Sequence, residues 1–115
     1  MKDKDGDFLK YGVNGTYNDI PIFQHIDNPN GIVLTDECIT NLNFDGKPIV
    51  EKEEAIGYIL KRTKQDEKYI YGDVIIFFDE FVPIGFKNYE IQCEFEDDMI
   101  VKEAKIKGIS LEFKQ

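Results

Sequence analysis

The chain has 115 residues, of which 42% are hydrophobic and 32% charged, so it is long enough to bury the core of one domain and too apolar to be disordered. Its 14 basic and 23 acidic residues give a net charge of −9, which opposes direct binding to nucleic-acid phosphates or anionic lipid. Two cysteines, no N-terminal apolar signal segment and no apolar run of bilayer length predict a soluble, non-secreted protein with reduced thiols.

The chain opens with a charged segment followed by turn-forming residues. Residues 1–7 have nothing to bury, so we expect a mobile tail ahead of a single β-rich domain at residues 8–115. Residues 11–19 hold two glycines and two asparagines, a composition typical of turns. The first strand is therefore expected to begin after residue 19.

Two short strands are predicted to lie at sheet edges because each contains a proline. Residues 20–26 alternate in pattern and include Pro21, and residues 47–50 include Pro48. Proline has no N–H to donate to a neighbouring strand, so it is tolerated mainly at an edge. Residues 27–31, with the sequence DNPNG, are a strong turn signal after the first of these strands.

Residues 35–43 are the one stretch that predicts a helix. Thr35 is a suitable N-cap, and two acidic residues follow it at the positive end of the helix dipole. Cys38, Ile39 and Leu42 have the spacing of one helical face. We therefore expect a short helix with those three side chains against the core.

The centre of the chain predicts a β-hairpin. Residues 55–62 and 68–78 are rich in isoleucine, tyrosine, valine and phenylalanine, the residues that suit a half-buried sheet. The five residues between them, 63–67, are all polar and belong in water. The hairpin is the feature around which we expect the sheet to form.

Residues 79–86 combine apolar side chains with a proline and a glycine, so they predict an irregular loop and not a regular strand. We expect such a loop to fold under the core, with docking on a partner protein as the alternative. Its candidate partner-contact residues are Phe81, Val82, Ile84 and Phe86.

The C-terminal third predicts two long strands. Residues 88–96 alternate strictly, and residues 99–107 continue after an Asp-Asp turn. Gly108 shifts the period, so a bulge there would keep both halves of the last strand facing the core. The inward side chains of residues 88–96 are expected to be Tyr89, Ile91, Cys93 and Phe95. Together these elements predict a mainly β fold with one short helix, a mostly antiparallel barrel or sandwich of about six to eight strands.

The residue types for catalysis are scarce. His25 is the only histidine and Ser110 the only serine, and each lies in a predicted strand, where a structural role is the commoner one. A catalytic pair with Cys38 or Cys93 would need that same histidine, and Cys93 is expected to face the core as an unreactive thiol. The sequence has no CxxC or HxxxH spacing, and its acidic runs suit a solvated surface. We therefore expect no catalytic, metal or cofactor site.

Several short stretches occur in a definite order between residues 33 and 113. After the predicted helix come GKPIV at residues 46–50, IGYI at 56–59 and YGDVI at 71–75. In this order and spacing the chain resembles the prohead (capsid maturation) proteases of tailed bacteriophages. Those enzymes have a G-K-P-V strand, then the catalytic histidine, then I-G-x-V and Y-x-D-V segments. The resemblance implies the β-barrel scaffold of a serine protease.

The same resemblance implies that the active site has been lost. The family's serine lies in a strand like E-I-S-x-E-F, which matches EIQCEF at residues 90–95 and places Gln92 at the nucleophile position. Near the expected histidine the chain has EKEE at residues 51–54, without an imidazole or another neutral base. A glutamine amide cannot be activated as a nucleophile, so the expectation is a non-enzymatic member of the family.

A protease scaffold without its reactive groups implies a structural or assembly protein of the phage virion, such as an auxiliary capsid or portal-vertex protein. Its partners would be capsid or portal proteins, it would be oligomeric in the assembly, and it would be found in the virion or the host cytoplasm. The docking surfaces would be strand edges near Pro21 and Pro48 and the loop from Phe81 to Phe86.

Two other classes of protein stay open from the sequence. A small acidic phage regulator could block a host nucleic-acid enzyme by presenting carboxylates in place of phosphates, although the acidic residues are interleaved with lysines. An active hydrolase would need a catalytic site that the residues above do not supply. Salt-sensitive binding to a basic enzyme would indicate the first, and turnover of a capsid precursor would indicate the second.

Overall fold

The computed structural model describes residues 15–27, 31–97 and 100–114, with the side chains of residues 96 and 97 left out of the description. These ranges hold seven strands and one helix. The predicted tail at residues 1–7 and the centres of the turns at 27–31 and 97–98 lie outside them. In chain order the elements are β1 Thr16–Gln24, β2 Val33–Leu34, α1 Asp36–Asn41, β3 Pro48–Glu51, β4 Glu54–Gln65, β5 Tyr69–Ile76, β6 Pro83–Asp97 and β7 Ile100–Phe113.

All seven strands belong to one mixed sheet. The order runs β1-β5-β4-β3-β7, with β6 on the opposite side of β7 and β2 beside the first residues of β7. Four of the pairings are antiparallel, whereas β2 and β3 both run parallel to β7. Within the described ranges no strand pairing joins β1 to β6, so the mainly β prediction is confirmed and the sheet is not closed.

The core lies inside the curl of this sheet and is centred on Phe23. This β1 side chain is fully buried and stacks on Tyr89 of β6, with ring centroids 5.0 Å apart. Its other aromatic neighbours are Phe86 of β6 at 6.1 Å and Phe44, after α1, at 5.7 Å. Two strands at opposite ends of the sheet order therefore meet through aromatic packing and not through backbone hydrogen bonds.

The predicted central hairpin is confirmed as β4 and β5. β4 reaches further than expected, to Gln65, so only residues 66–68 form the connection, whereas β5 ends at Ile76, two residues before the end of the predicted run. Asp66 organises that connection: its Oδ1 accepts from the backbone N–H groups of Lys68 at 2.9 Å and Tyr69 at 2.8 Å. Its Oδ2 accepts from the Tyr71 hydroxyl at 2.6 Å. One carboxylate thus fixes the backbone of the turn and the first residues of β5.

These three hydrogen bonds give the hairpin a pH dependence. The Tyr71 hydroxyl, followed by the two backbone N–H groups, lowers the pKa of Asp66 from 3.8 to about 2. Because the folded-state pKa is depressed, the stabilisation is complete above the unfolded value and is lost as pH falls from about 4 through about 2. The difference in the free energy of unfolding between wild type and Asp66→Ala, measured with urea, should therefore be constant at pH 5 to 7 and shrink towards pH 2.

The control for this prediction is Asp66→Asn, which keeps a side-chain oxygen but does not titrate. Asp66→Asn and Asp66→Ala should differ by the same amount at every pH, because neither side chain gains or loses a proton. A gap between wild type and Asp66→Ala that persists undiminished at pH 2 would contradict the role given to the carboxylate.

The predicted helix is confirmed as α1, capped by Thr35. The Thr35 hydroxyl accepts from the backbone N–H of Cys38 at 3.1 Å. Cys38, Ile39 and Leu42 are all buried, as their spacing predicts. Arg62 of β4 donates from Nη1 to the carbonyl of Ile39 at 2.7 Å, which fastens the helix to the central hairpin.

The turn predicted for residues 11–19 is wrong over its described part, because β1 begins at Thr16. A β-bulge explains the misleading composition: Tyr17 pairs with Val74 and Ile20 with Gly72, so two residues oppose one. Asp19 has a φ of 55° within the bulge, and its backbone N–H donates to a side-chain oxygen of β5. The residues that predicted a turn therefore form a β-bulge inside the strand.

The two proline strands have different outcomes. Among the described strands β1, with Pro21, pairs with β5 alone and so lies at an edge of the described sheet, as predicted. The edge prediction for Pro48 is wrong, because β3 lies between β4 and β7. Pro48 is the first residue of β3, and the pairing of β3 with β7 is made at Ile49. A strand's first residue can lack an N–H donor without interrupting the sheet.

The long C-terminal hairpin has the predicted bulge. Glu90 pairs with Gly108 and Ile91 with Ile106, so Lys107 is the extra residue. Ile106 and Ile109, on either side of the bulge, are both buried. The prediction that Phe95 faces the core is wrong, because 46% of this side chain is exposed where the hairpin extends past the core.

Candidate functional site: an exposed aromatic patch

Five aromatic rings form a continuous row on the surface. Adjacent ring centroids are 5.1 to 6.4 Å apart, within the range of favourable aromatic packing. Two of the rings are widely exposed, Phe77 at 38% and Phe78 at 48%. In order along the row, this aromatic patch consists of Tyr58, Phe77, Phe78, Phe81 and Phe113.

The patch is held by the end of the central hairpin and by the end of β7. The backbone N–H of Phe77 donates to the carbonyl of Ile56 at 2.8 Å, which continues the β4–β5 pairing past the end of β5. The N–H of Phe81 donates to the carbonyl of Phe78 at 3.2 Å and closes a turn. Phe113 then packs on Phe81 from β7. Rings supplied by three parts of the chain are therefore fixed on one surface.

The predicted contact loop contributes only part of this surface. Phe81 belongs to the patch, whereas Phe86 turns inward against Phe23. Val82 is half-buried, and its carbonyl accepts from the Lys114 N–H at 2.8 Å. Ile84 is 60% exposed but takes no part in the row of rings. The structure thus divides the four residues between core and surface.

The irregular conformation predicted for residues 79–86 is wrong from Pro83 onwards. Pro83 pairs with Phe113 and Phe86 with Leu111, so these residues already belong to β6. Gly85 pairs with Glu112, and Ile84 is the extra residue in a register shift between Pro83 and Gly85. Proline and glycine are tolerated there because β6 lies at an edge of the described sheet and has a bulge at its start.

Sequence reasoning placed Phe77 and Phe78 at the end of a half-buried strand and did not predict that both are exposed. A signal was present, because neighbouring residues of a strand point to opposite faces, so two consecutive phenylalanines cannot both enter one core. The exposed Asp79 and Glu80 that follow give the patch an acidic border. A large apolar surface with a polar border is typical of a protein contact site.

The histidine and the serine have separate structural partners. His25, 8% exposed, follows β1 and its Nε2 lies 2.9 Å from the Asp66 carbonyl, which can only accept, so Nε2 carries the hydrogen. Ser110 of β7 donates from Oγ to the carbonyl of Val50 at 3.2 Å. Neither of these hydrogen bonds joins the two side chains to each other.

The two positions singled out by the protease resemblance are not brought together. Gln92 is exposed on β6 opposite Lys105 of β7. Residues 51–54 form the β3–β4 turn, and because Ile49 pairs with Ile109, this turn lies about six residues further along β7. Six strand residues span about 20 Å, far beyond hydrogen-bonding reach.

The two cysteines are free and lie beside one pocket of about 750 Å³ between α1, β6 and β7. Burial raises the pKa of the Cys38 thiol, and the charges of Cys93 and Glu103 raise it further. Burial also raises the pKa of Cys93. Both thiols are therefore protonated at neutral pH and are poor nucleophiles. Among the described residues no group of three or more metal-ligating side chains occurs.

Within the described ranges no helix is both long enough and apolar enough to cross a bilayer. Comparison of the chain with family models, with curated proteins and with solved structures gives no match.

Proposed function

We propose that this protein is a non-enzymatic structural or assembly protein that acts by docking on other proteins through its aromatic patch. The observation that carries the proposal is the exposure of Phe77 and Phe78 within a fixed row of five rings. Aromatic side chains held rigidly at the surface lose little conformational entropy on binding and are enriched among the residues that dominate interface energies.

The resemblance to prohead proteases gives the proposal its setting, a tailed-phage virion with capsid or portal protein as the partner. A docking surface on a scaffold with glutamine at the nucleophile position suits an auxiliary capsid or portal-vertex protein. Among the described strands β1 and β6 lie at sheet edges and would give such a protein further places for contact between subunits.

The test compares binding to virion proteins by the wild-type chain and by a Phe77→Ser, Phe78→Ser variant. Burying an exposed phenylalanine contributes about 1.5 kcal/mol or more, so losing both should weaken binding by about 3 kcal/mol, or about 100-fold. The measurement is co-sedimentation of tagged protein with purified phage particles, followed by cross-linking to identify capsid or portal protein.

The matched control is Phe95→Ser, because Phe95 is exposed to 46%, nearly the same as Phe78, but lies outside the patch. It should bind like wild type. Equal losses in the two variants would contradict the role of the patch. A wild-type chain that stays out of the particle fraction and binds a basic host enzyme in low salt would replace the proposal with the acidic regulator.

A further inference from the structure

The pairing of β7 leaves a stretch of backbone open in the middle of the sheet. On the side opposite β6, β7 pairs with β2 only at Ile100 and Val101 and with β3 only at Ile109. Between these points residues 102–107 have β6 on one side and no strand of the described chain on the other. No backbone hydrogen bond from the described turns or loops reaches these residues. Alternate N–H and C=O groups of this segment are therefore directed away from β6 without a strand partner.

The same segment borders the pocket of about 750 Å³ beside α1, and the charge there is opposite to that of the whole chain. Four lysines line this edge pocket, Lys47, Lys102, Lys105 and Lys107, against two carboxylates, Glu94 and Glu103. None of the four ammonium groups makes an ion pair or a hydrogen bond with another described residue. Unpaired lysines around a concave site favour an anionic ligand.

We propose that the edge pocket binds an extended acidic segment of a partner protein, which adds to β7 as a short strand between β2 and β3. The open backbone of residues 102–107 supplies hydrogen bonds that only another polypeptide can complete in register. These six residues span about 20 Å, which a peptide of about seven residues covers. The lysines select acidic side chains on that peptide. This surface is separate from the aromatic patch, so it can be tested whether or not the patch binds.

A nucleic acid is the less suitable anion for this pocket. Its phosphates could contact the lysines, but its backbone cannot pair with the open N–H and C=O groups of β7. A long polyanion would extend beyond the pocket and be repelled by the rest of the chain, whose net charge is −9. A short acidic peptide contacts only the pocket, where its carboxylates lie beside the lysines.

The test titrates the purified chain with the heptapeptide acetyl-EVEVEVE-amide, using calorimetry at low salt and backbone NMR. We expect saturable binding that weakens with added salt, and slower amide exchange for residues 102–107. The peptide acetyl-KVKVKVK-amide should not bind. An EVEVEVE peptide with alternate amides N-methylated on its pairing edge should bind at least tenfold more weakly, because it has lost hydrogen-bond donors and kept its charge.

Two double variants separate the pocket from overall charge. Lys105→Glu with Lys107→Glu should weaken binding of EVEVEVE at least tenfold, whereas Lys61→Glu with Lys87→Glu should leave it within twofold. All four lysines are exposed, and both pairs change the net charge equally, but Lys61 and Lys87 lie outside the pocket. Far-ultraviolet circular dichroism checks that both variants are folded.

Four results would overturn the proposal. Binding could be equally weakened in both double variants, which would show a general charge effect. Binding could be unaffected by N-methylation of the peptide, which would show that the peptide does not add to β7 as a strand. A twelve-residue oligothymidylate could bind more tightly than EVEVEVE, which would make the ligand a nucleic acid. The chain alone could sediment as a dimer that the Lys105 and Lys107 changes dissociate, which would make the occupant a second copy.

Discussion

Phe23→Ala should lower the free energy of unfolding by about 3–5 kcal/mol, the usual cost of removing a phenylalanine from a close-packed core. Phe23 is fully buried and contacts the rings of Phe44, Phe86 and Tyr89. These contacts are where β1 meets β6 across the core, so the cavity cannot be filled by a shift of one loop. The change is measured by urea unfolding. Because the chain has no tryptophan, the unfolding is followed by far-ultraviolet circular dichroism.

Two further variants keep this prediction testable if Phe23→Ala does not fold. Phe23→Leu keeps most of the volume and should cost about 1.5 kcal/mol or less. Phe78→Ala removes the same ring from a site that is 48% exposed and should change the free energy of unfolding by about 1 kcal/mol or less. Equal effects of Phe23→Ala and Phe78→Ala would contradict the packing of β1 against β6.

The sequence predicted those elements whose cause is local. The cap at Thr35 and the apolar spacing that follows are enough to define α1, because both act within two turns of chain. The central hairpin follows from two β-rich runs with one polar connection. The bulge beside Gly108 follows from a change of phase within one strand. In each case the deciding residues lie within a few positions of one another.

What the sequence could not predict depends on partners distant along the chain. β2 has only two residues and exists because it meets Ile100 and Val101, which no local pattern announces. Pro48 starts an internal strand because β7 happens to join one residue later. The prediction that Phe95 is buried is wrong because the C-terminal hairpin is longer than the core it covers. Alternation predicts which face a residue takes, not whether anything lies on that face.

The candidate sites are tertiary for the same reason. The aromatic patch joins rings from β4, the residues after β5, and β7, and the edge pocket exists because β2 and β3 leave part of β7 uncovered. The one residue of the patch found by sequence reasoning was Phe81, chosen as part of an apolar loop. To predict the exposure of Phe77 and Phe78, one would have to know that β5 ends at Ile76.

Gly57→Ala should lower the free energy of unfolding by about 3 kcal/mol, at or above the upper end of the usual cost of overpacking. A Cβ at position 57 would overlap the Ile75 carbonyl oxygen and lie 3.1 Å from the Ile76 Cα, and backbone of a strand paired on both sides cannot move aside locally. Gly85→Ala is the matched control: it is also in a strand, has no positive φ, and its Cβ would meet nothing within 4 Å. The free energy of unfolding of that variant should be within about 0.5 kcal/mol of the wild-type value or slightly above it, because alanine reduces the entropy of the unfolded chain. Urea midpoints with unchanged slopes measure both, and a Gly57→Ala variant as stable as Gly85→Ala would show that β4 and β5 do not pair in this register.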